Sequence, residues 1–190
     1  MSRPLTVLAV AGSLRRNSFN GALVAAARDE APAGVTVTVW TGLGSIPPFN
    51  EDDEGDRTPR AVLDFRRLIG EADALLIATP EYNSSIPGAL KNALDWASRP
   101  YGVAELVGKP TVVVGASASP FGAAWAQAEL RKVLAASGAR VLEEGVSLAK
   151  APERIAAGGG VNADDPVRLE LATLLGLLAD AVREPVDAAA

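Results

Sequence analysis

Leu5 to Ala11 is an almost unbroken apolar run that stops at Gly12, the pattern of a central parallel strand covered on both faces. The spacing then predicts a helix over Phe19 to Glu30, with Leu23, Val24 and Ala27 on one side, before Pro32 and Gly34 break it. Val35 to Trp40 alternates apolar and hydroxyl residues, as a strand near a sheet edge does. The alternation repeats downstream. Helix spacing runs from Ala61 to Ile69, a buried strand from Ala74 to Ala78, and a second helix from Pro87 to Ser98, with the proline suited to a first turn. Thr111 to Gly115 reads as another buried strand and Phe121 to Ser137 as a helix ended by Gly138. A short strand over Arg140 to Leu148, with a bulge expected at Gly145, and a closing helix over Pro166 to Val182 complete the pattern.

Five strands alternating with helices predict an α/β fold. Parallel strands need crossover helices, and right-handed crossings give a three-layer, doubly wound, five-stranded parallel sheet, with expected strand order 2-1-3-4-5. One domain over 1–190 accounts for the chain, with a flexible tail expected at 184–190. Between Thr41 and Pro59 lies a loop of about twenty residues carrying Pro47-Pro48-Phe49-Asn50 and the acidic run Glu51 to Glu54. Loops of that length are usually functional or mobile.

Composition narrows the chemistry. With 190 residues, 48% of them hydrophobic and 22% charged, the chain can bury a substantial core. It has no cysteine and no histidine, which excludes disulfides, thiol nucleophiles, histidine triads and ordinary zinc sites. A net charge of -5 argues against non-specific nucleic-acid binding. The longest apolar runs fall far short of the roughly 20 residues a membrane span needs, so no membrane partner is expected. Met1-Ser2-Arg3-Pro4 leads straight into the first strand without the pattern of a secretory signal, so the cytoplasm is the expected location.

Three turns carry the candidate chemistry. The first, Gly12 to Asn20, places hydroxyls, amides and two guanidiniums between a buried strand and a helix start, where unpaired N–H groups and the helix dipole favour an anion. The alternative is that Ser18 or Asn17 merely caps the helix and the arginines are solvated. Neither G-x-G-x-x-G nor G-x-x-x-x-G-K-[ST] is present, which disfavours a dinucleotide domain or a Walker ATPase, and Gly42-Leu43-Gly44 leads to Pro47 and reads as a turn. The second turn runs from Pro80 to Pro87 and the third from Gly115 to Gly122. In the expected strand order all three meet at the carboxyl edge near the switch point. A phosphate in the first and a planar ring between the other two would fill that groove, as a mononucleotide such as FMN would.

Gly12-Ser13-Leu14-Arg15 with Ser18 and Asn20, followed by Pro80-Glu81-Tyr82-Asn83 and Ile86-Pro87-Gly88-Ala89-Leu90-Lys91-Asn92-Ala93-Leu94-Asp95-Trp96, resembles the NADPH-dependent FMN reductase family, which includes quinone, chromate and azo-dye reductases. The likeness runs from about Leu5 to Ala136. It implies a flavodoxin-like fold, bound FMN, reduction by NADPH or NADH, and homodimers or homotetramers. On matching positions, Ser13, Arg15, Ser18 and Asn20 would hold the phosphate, while Pro80, Glu81, Tyr82 and Asn83 would line the ribityl chain and isoalloxazine. Ser117 sits in the third turn, where members of the family often contact the flavin, on a looser match. N–H groups around Asn83, Ser84 and Ser117 would meet negative charge developing on the ring. The implied activity is ping-pong hydride transfer from NAD(P)H to FMN and on to quinones, free flavin, azo compounds or metal oxyanions, with the flavin carrying the chemistry and no metal ion.

Each residue also has a plainer role. Tyr82 could pack over the sheet edge, Glu81 could be a solvated loop charge, Arg16 reads as solvent-facing, and Glu51 to Asp56 reads as a charged surface loop. Trp96 and Trp125 read as core or interface residues, and Trp96, with its helix, is assigned to a subunit interface. Two competing functions remain: a flavodoxin-like electron-transfer or regulatory module that does not oxidise NAD(P)H, and a hydrolase of a phosphate ligand.

Overall fold

Apolar runs without polar alternation are stable as strands when both faces are covered, and the sheet is arranged to cover them. In the computed structural model, which describes residues 3–156 and 158–184, five strands form one sheet. They are β1 (Leu5–Ala11), β2 (Val35–Trp40), β3 (Ala74–Thr79), β4 (Pro110–Ala116) and β5 (Arg140–Leu148), in the order β2-β1-β3-β4-β5 with every pairing parallel. The crossovers contain α1 (Phe19–Asp29), α2 (Arg60–Glu71), α3 (Gly88–Ala97) and α4 (Ala124–Ala136). The short α5 (Ala151–Arg154) and the long α6 (Val167–Arg183) follow β5. This is the flavodoxin-like, doubly wound order that the alternation of strands and helices predicts.

Every residue of β3 and β4 is buried, whereas β2, at the edge, buries only Val37. Successive residues of β1 serve opposite layers, because side chains alternate across a strand. Val7 and Ala9 pack in the core that contains Leu23 and Ala27 of α1 and Leu171 and Leu175 of α6. Leu8 and Val10 pack in the second core, with Phe65 of α2, Leu90 of α3 and Leu130 of α4. No helix of the described residues is long and apolar enough to cross a membrane.

The structure departs from the sequence reading in four places. First, the helix expected from Phe121 begins at Ala124, because Gly122 and Ala123 are left-handed, with φ of 57° and 63°, and cannot join a right-handed helix. Second, the β5 irregularity is wider than a bulge at one residue: Thr111 pairs with Val141 but Val113 with Gly145, leaving Leu142 to Glu144 outside the regular register. A Cβ at Gly145 would run into the Arg131 guanidinium and the Val113 carbonyl, which accounts for the glycine. Third, the loop from Thr41 to Pro59 is fastened down. Its Leu43–Ser45, Glu51–Asp53 and Gly55–Arg57 stretches form 3-10 turns. The Asn92 amide donates to the Pro47 carbonyl at 2.8 Å and accepts from the Phe49 N–H at 2.7 Å, and Glu54 pairs with Arg99 at 3.2 Å.

Fourth, the interface assignment of the Trp96 side chain is corrected. Trp96 is 0% exposed within the chain, donates its indole N–H to the Pro47 carbonyl at 2.9 Å, and packs edge-on against Phe49 with ring centroids 4.9 Å apart. The tryptophan sits behind the long loop as a core residue, because its indole N–H needs an acceptor when buried and Pro47 supplies one. The tail expected at 184–190 lies, beyond Glu184, outside the described residues.

Candidate functional site

The sheet register sets the site. Ala11 of β1 stands beside Ala78 of β3, and Thr79 beside Gly115 of β4, so three strands end level at one edge and release their turns into the same space. The first turn leaves tightly: the Gly12 N–H donates to the Ala78 carbonyl at 2.7 Å, and a Cβ there would lie 2.8 Å from the Leu90 side chain. Ser18 then caps α1, its hydroxyl accepting from the Gly21 N–H at 3.3 Å. No acidic residue occupies the first turn of α1, so its positive end is not neutralised from within. Arg15 and Arg16 are exposed, and the Arg15 guanidinium lies over the Phe19 ring, 5.2 Å from its centroid.

Asn20 faces the other way. It is 1% exposed, and its amide clasps the end of β4, donating to the Ala116 carbonyl at 2.9 Å and accepting from the Ala116 N–H at 3.0 Å. The expected phosphate ligand is therefore first of all a clasp between the first and third turns. Both of its amide atoms are already engaged by backbone.

In the second turn, the Tyr82 and Ser85 backbones exchange hydrogen bonds at 3.0 and 3.1 Å around Asn83 and Ser84. This is a two-residue hairpin of the kind that holds both central residues at positive φ, here 52° and 61°. Asparagine tolerates that region; serine enters it at a cost of about 1 kcal/mol. The hairpin presents Tyr82 with 47% of its surface exposed. Glu81, half-buried, is not a solvated charge: one carboxylate oxygen accepts from the Trp125 and Ala126 N–H groups at 3.1 and 3.2 Å, at the start of α4. In the third turn, the Ser117 hydroxyl lies 2.8 Å from that of Ser119, and the Ser117 N–H donates to the Leu148 carbonyl at 3.1 Å.

The three turns enclose a pocket of about 180 Å³. Ser13, Arg15, Ser18 and Asn20 line it from the first turn, Pro80, Glu81 and Tyr82 from the second, and Ser117 from the third. Asn83 and Ser84 form the exposed hairpin tip outside that lining. Phe19, Ala116 and Ala118 complete the wall, residues that sequence reasoning did not single out. Beside it lies a second cavity of about 340 Å³, walled by Leu14, Pro87, Gly88 and Ala89, with Arg15 and Tyr82 common to both. The donor set suits a phosphate joined to a planar group: hydroxyls, a guanidinium and an open helix end on one side, a tyrosine on the other. The Glu81 function carried one unused sequence signal. Gly122-Ala123-Ala124 offers no capping side chain, so α4 had to be capped from elsewhere.

Comparison with known proteins gives a consistent result. Residues 5–153 match the family described as NADPH-dependent FMN reductase. A 2-hydroxy-1,4-benzoquinone reductase from Burkholderia sp. is 40% identical over 181 residues, covering 95% of this chain and 97% of that protein. An NAD(P)H-dependent FMN reductase from Pseudomonas aeruginosa is 47% identical over 134 residues, 70% of this chain and 71% of its own. Among solved structures, FerB, a flavoenzyme NAD(P)H:(acceptor) oxidoreductase from Paracoccus denitrificans, superposes with a TM-score of 0.80 at 34% identity. The match covers 94% of this chain and 97% of that one.

Proposed function

The chain belongs to the NADPH-dependent FMN reductase family, and on that footing we propose that it is an FMN-dependent NAD(P)H oxidoreductase working in ping-pong order, with quinones as its principal acceptors. The observation that carries this function is the convergence of three strand-end turns on one pocket whose first wall is built for an anion and whose second presents a tyrosine. Bound FMN supplies the hydride-accepting and electron-donating chemistry that a chain without histidine or cysteine lacks.

The protein's part is placement. Arg15, with the Ser13 and Ser18 hydroxyls and the amino end of α1, receives the phosphate, and charge-assisted hydrogen bonds make this the strongest polar contact of the site. Asn20 keeps the first turn against β4 so that this cradle holds its shape. The backbone of Pro80, Glu81 and Tyr82 would run along the ribityl chain and ring, with Tyr82 giving a flat apolar surface. The backbone N–H groups of Asn83 and Ser84 would meet the polar edge of the ring, where fixed dipoles stabilise developing negative charge, and Ser117, whose N–H is engaged by Leu148, would offer its hydroxyl. The space beside Tyr82 would receive nicotinamide and acceptor in turn, as the ping-pong order requires. We assign the protein to the cytoplasm as one FMN-binding domain and a homodimer or homotetramer with α3 near the subunit contact.

Purified protein mixed with FMN, NADPH or NADH, and a quinone should oxidise the nicotinamide, with parallel lines in double-reciprocal plots. Intersecting lines would remove the ping-pong order. Bound FMN without oxidation of either nicotinamide would leave an electron-transfer or regulatory module instead.

A further inference from the structure

Three helices leave the turns that form the pocket, and their amino ends are treated differently. The α1 end carries a neutral serine cap and no acidic residue. The α3 end begins after Pro87 with neither a side-chain cap nor an acidic residue in its first turn. The α4 end likewise has no cap of its own, its N-cap position being the left-handed Ala123. Yet it alone is met by a carboxylate, that of Glu81, donated from the turn after β3 and 44 residues earlier in the chain. We infer that Glu81 is a positioning residue: its carboxylate tethers the Tyr82 hairpin to the amino end of α4, fixing the ring-facing wall of the pocket, and is not itself a cofactor ligand.

Glu81 lies between two rigid pieces. Behind it, Pro80 fixes the backbone directly after a strand whose last residue is registered to Gly115 of β4. Ahead of it, Tyr82 is locked in a two-residue hairpin. The single oxygen that reaches both Trp125 and Ala126 satisfies two N–H groups that α4 cannot satisfy internally. It also places negative charge where the helix dipole favours it. Among the described residues Glu81 forms no ion pair with a cation, so the amino end of α4 is its partner. The same contact draws the Phe121–Trp125 aromatic pair, with ring centroids 4.8 Å apart and both rings about half exposed, to the side of the second turn. With the α4 end neutralised from within, an exogenous anion is kept from that side of the pocket and left the open amino ends of α1 and α3.

This inference rests on the FMN-binding reading, and the test separates the two. In the full-length protein, Glu81→Ala should accelerate hydrogen exchange at the Trp125 and Ala126 amides by about fivefold or more, as loss of a helix cap does. It should weaken FMN and riboflavin binding by the same factor, about fivefold, because the wall it disturbs faces the ring and not the phosphate. Glu81→Gln, which keeps an acceptor oxygen, should recover most of the exchange protection and most of the flavin affinity. Weakened flavin binding with unchanged exchange at Trp125 and Ala126 would make Glu81 a direct ligand and overturn the inference. So would accelerated exchange with flavin affinities unaltered, since the tether would then not position the wall. Wild-type protein that binds neither flavin while its exchange responds to Glu81→Ala would fail the functional reading and keep the tether.

Discussion

Arg15 projects from the first turn with no carboxylate partner among the described residues, resting on Phe19 and shared by both cavities. A guanidinium placed this way is available to an incoming phosphate. Arg15→Ala should therefore lower FMN affinity by about 10- to 100-fold, the worth of one or two hydrogen bonds to a charged group. Riboflavin, which lacks the phosphate, should bind the variant and the wild type alike; flavin fluorescence titrations measure both, and unchanged FMN affinity would remove Arg15 from the site. At this scale the sequence was informative about residue types and silent about partners. Ser13, Arg15, Ser18 and Tyr82 stand out because hydroxyls, a guanidinium and a phenol gathered at strand ends on one sheet edge suit an anion joined to a planar ring. The Asn20–Ala116 clasp and the Glu81 tether depend on groups 96 and 44 residues away, and no local pattern encodes a partner at that distance.

The level strand ends that bring the turns together are fixed from the opposite edge of the sheet. There Asp73, just before β3, accepts from Arg3 at 2.8 Å and from the N–H and hydroxyl of Thr6 in β1 at 2.7 and 2.9 Å. The Arg3 contact, then the Thr6 bonds, hold its carboxyl down from the usual 3.8 to about 2, against the opposing effect of burial. A depressed carboxylate contributes stability in full above its unfolded-state pKa and loses it as pH falls through the folded one. Asp73→Asn should thus cost about 1 to 2 kcal/mol at neutral pH, discounted for the exposure of Arg3. In urea unfolding, the gap between variant and wild type should close as pH falls from 3.8 to about 2. The long loop makes a second case. Removing the Asn92 amide, which holds Pro47 and Phe49, should cost about 1 to 3 kcal/mol and speed proteolytic cleavage within 41–59; an unchanged cleavage rate would show that Trp96 and Arg99 alone secure it. The strands and helices were legible because burial on two faces leaves a continuous apolar signature. The start of α4 and the fastening of the loop were not, since one turns on two left-handed residues and the other on side chains of a distant helix.

For the molecule as a whole, a ligand that binds only the folded state adds stability by mass action. FMN at about a hundred times its dissociation constant should contribute about 2.7 kcal/mol, raising the melting temperature by about 5 to 10 °C for a chain of this size. Thermal unfolding with and without FMN measures this directly, and riboflavin at equal saturation should give the same shift. The strand order was readable because right-handed crossovers leave few arrangements for five parallel strands, whereas oligomer contacts leave no comparable mark on the sequence. The Asn20 clasp has a further consequence, for the order in which the protein is made. When β1, α1 and β2 have left the ribosome, Ala116 has yet to be synthesised, so the first turn exists for a time with its buried amide unanswered. Only when β4 inserts beside β3 does that amide find its partners. The pocket is thus a late product of translation, and a nascent chain ending before Ala116 has no finished place in which to keep a flavin.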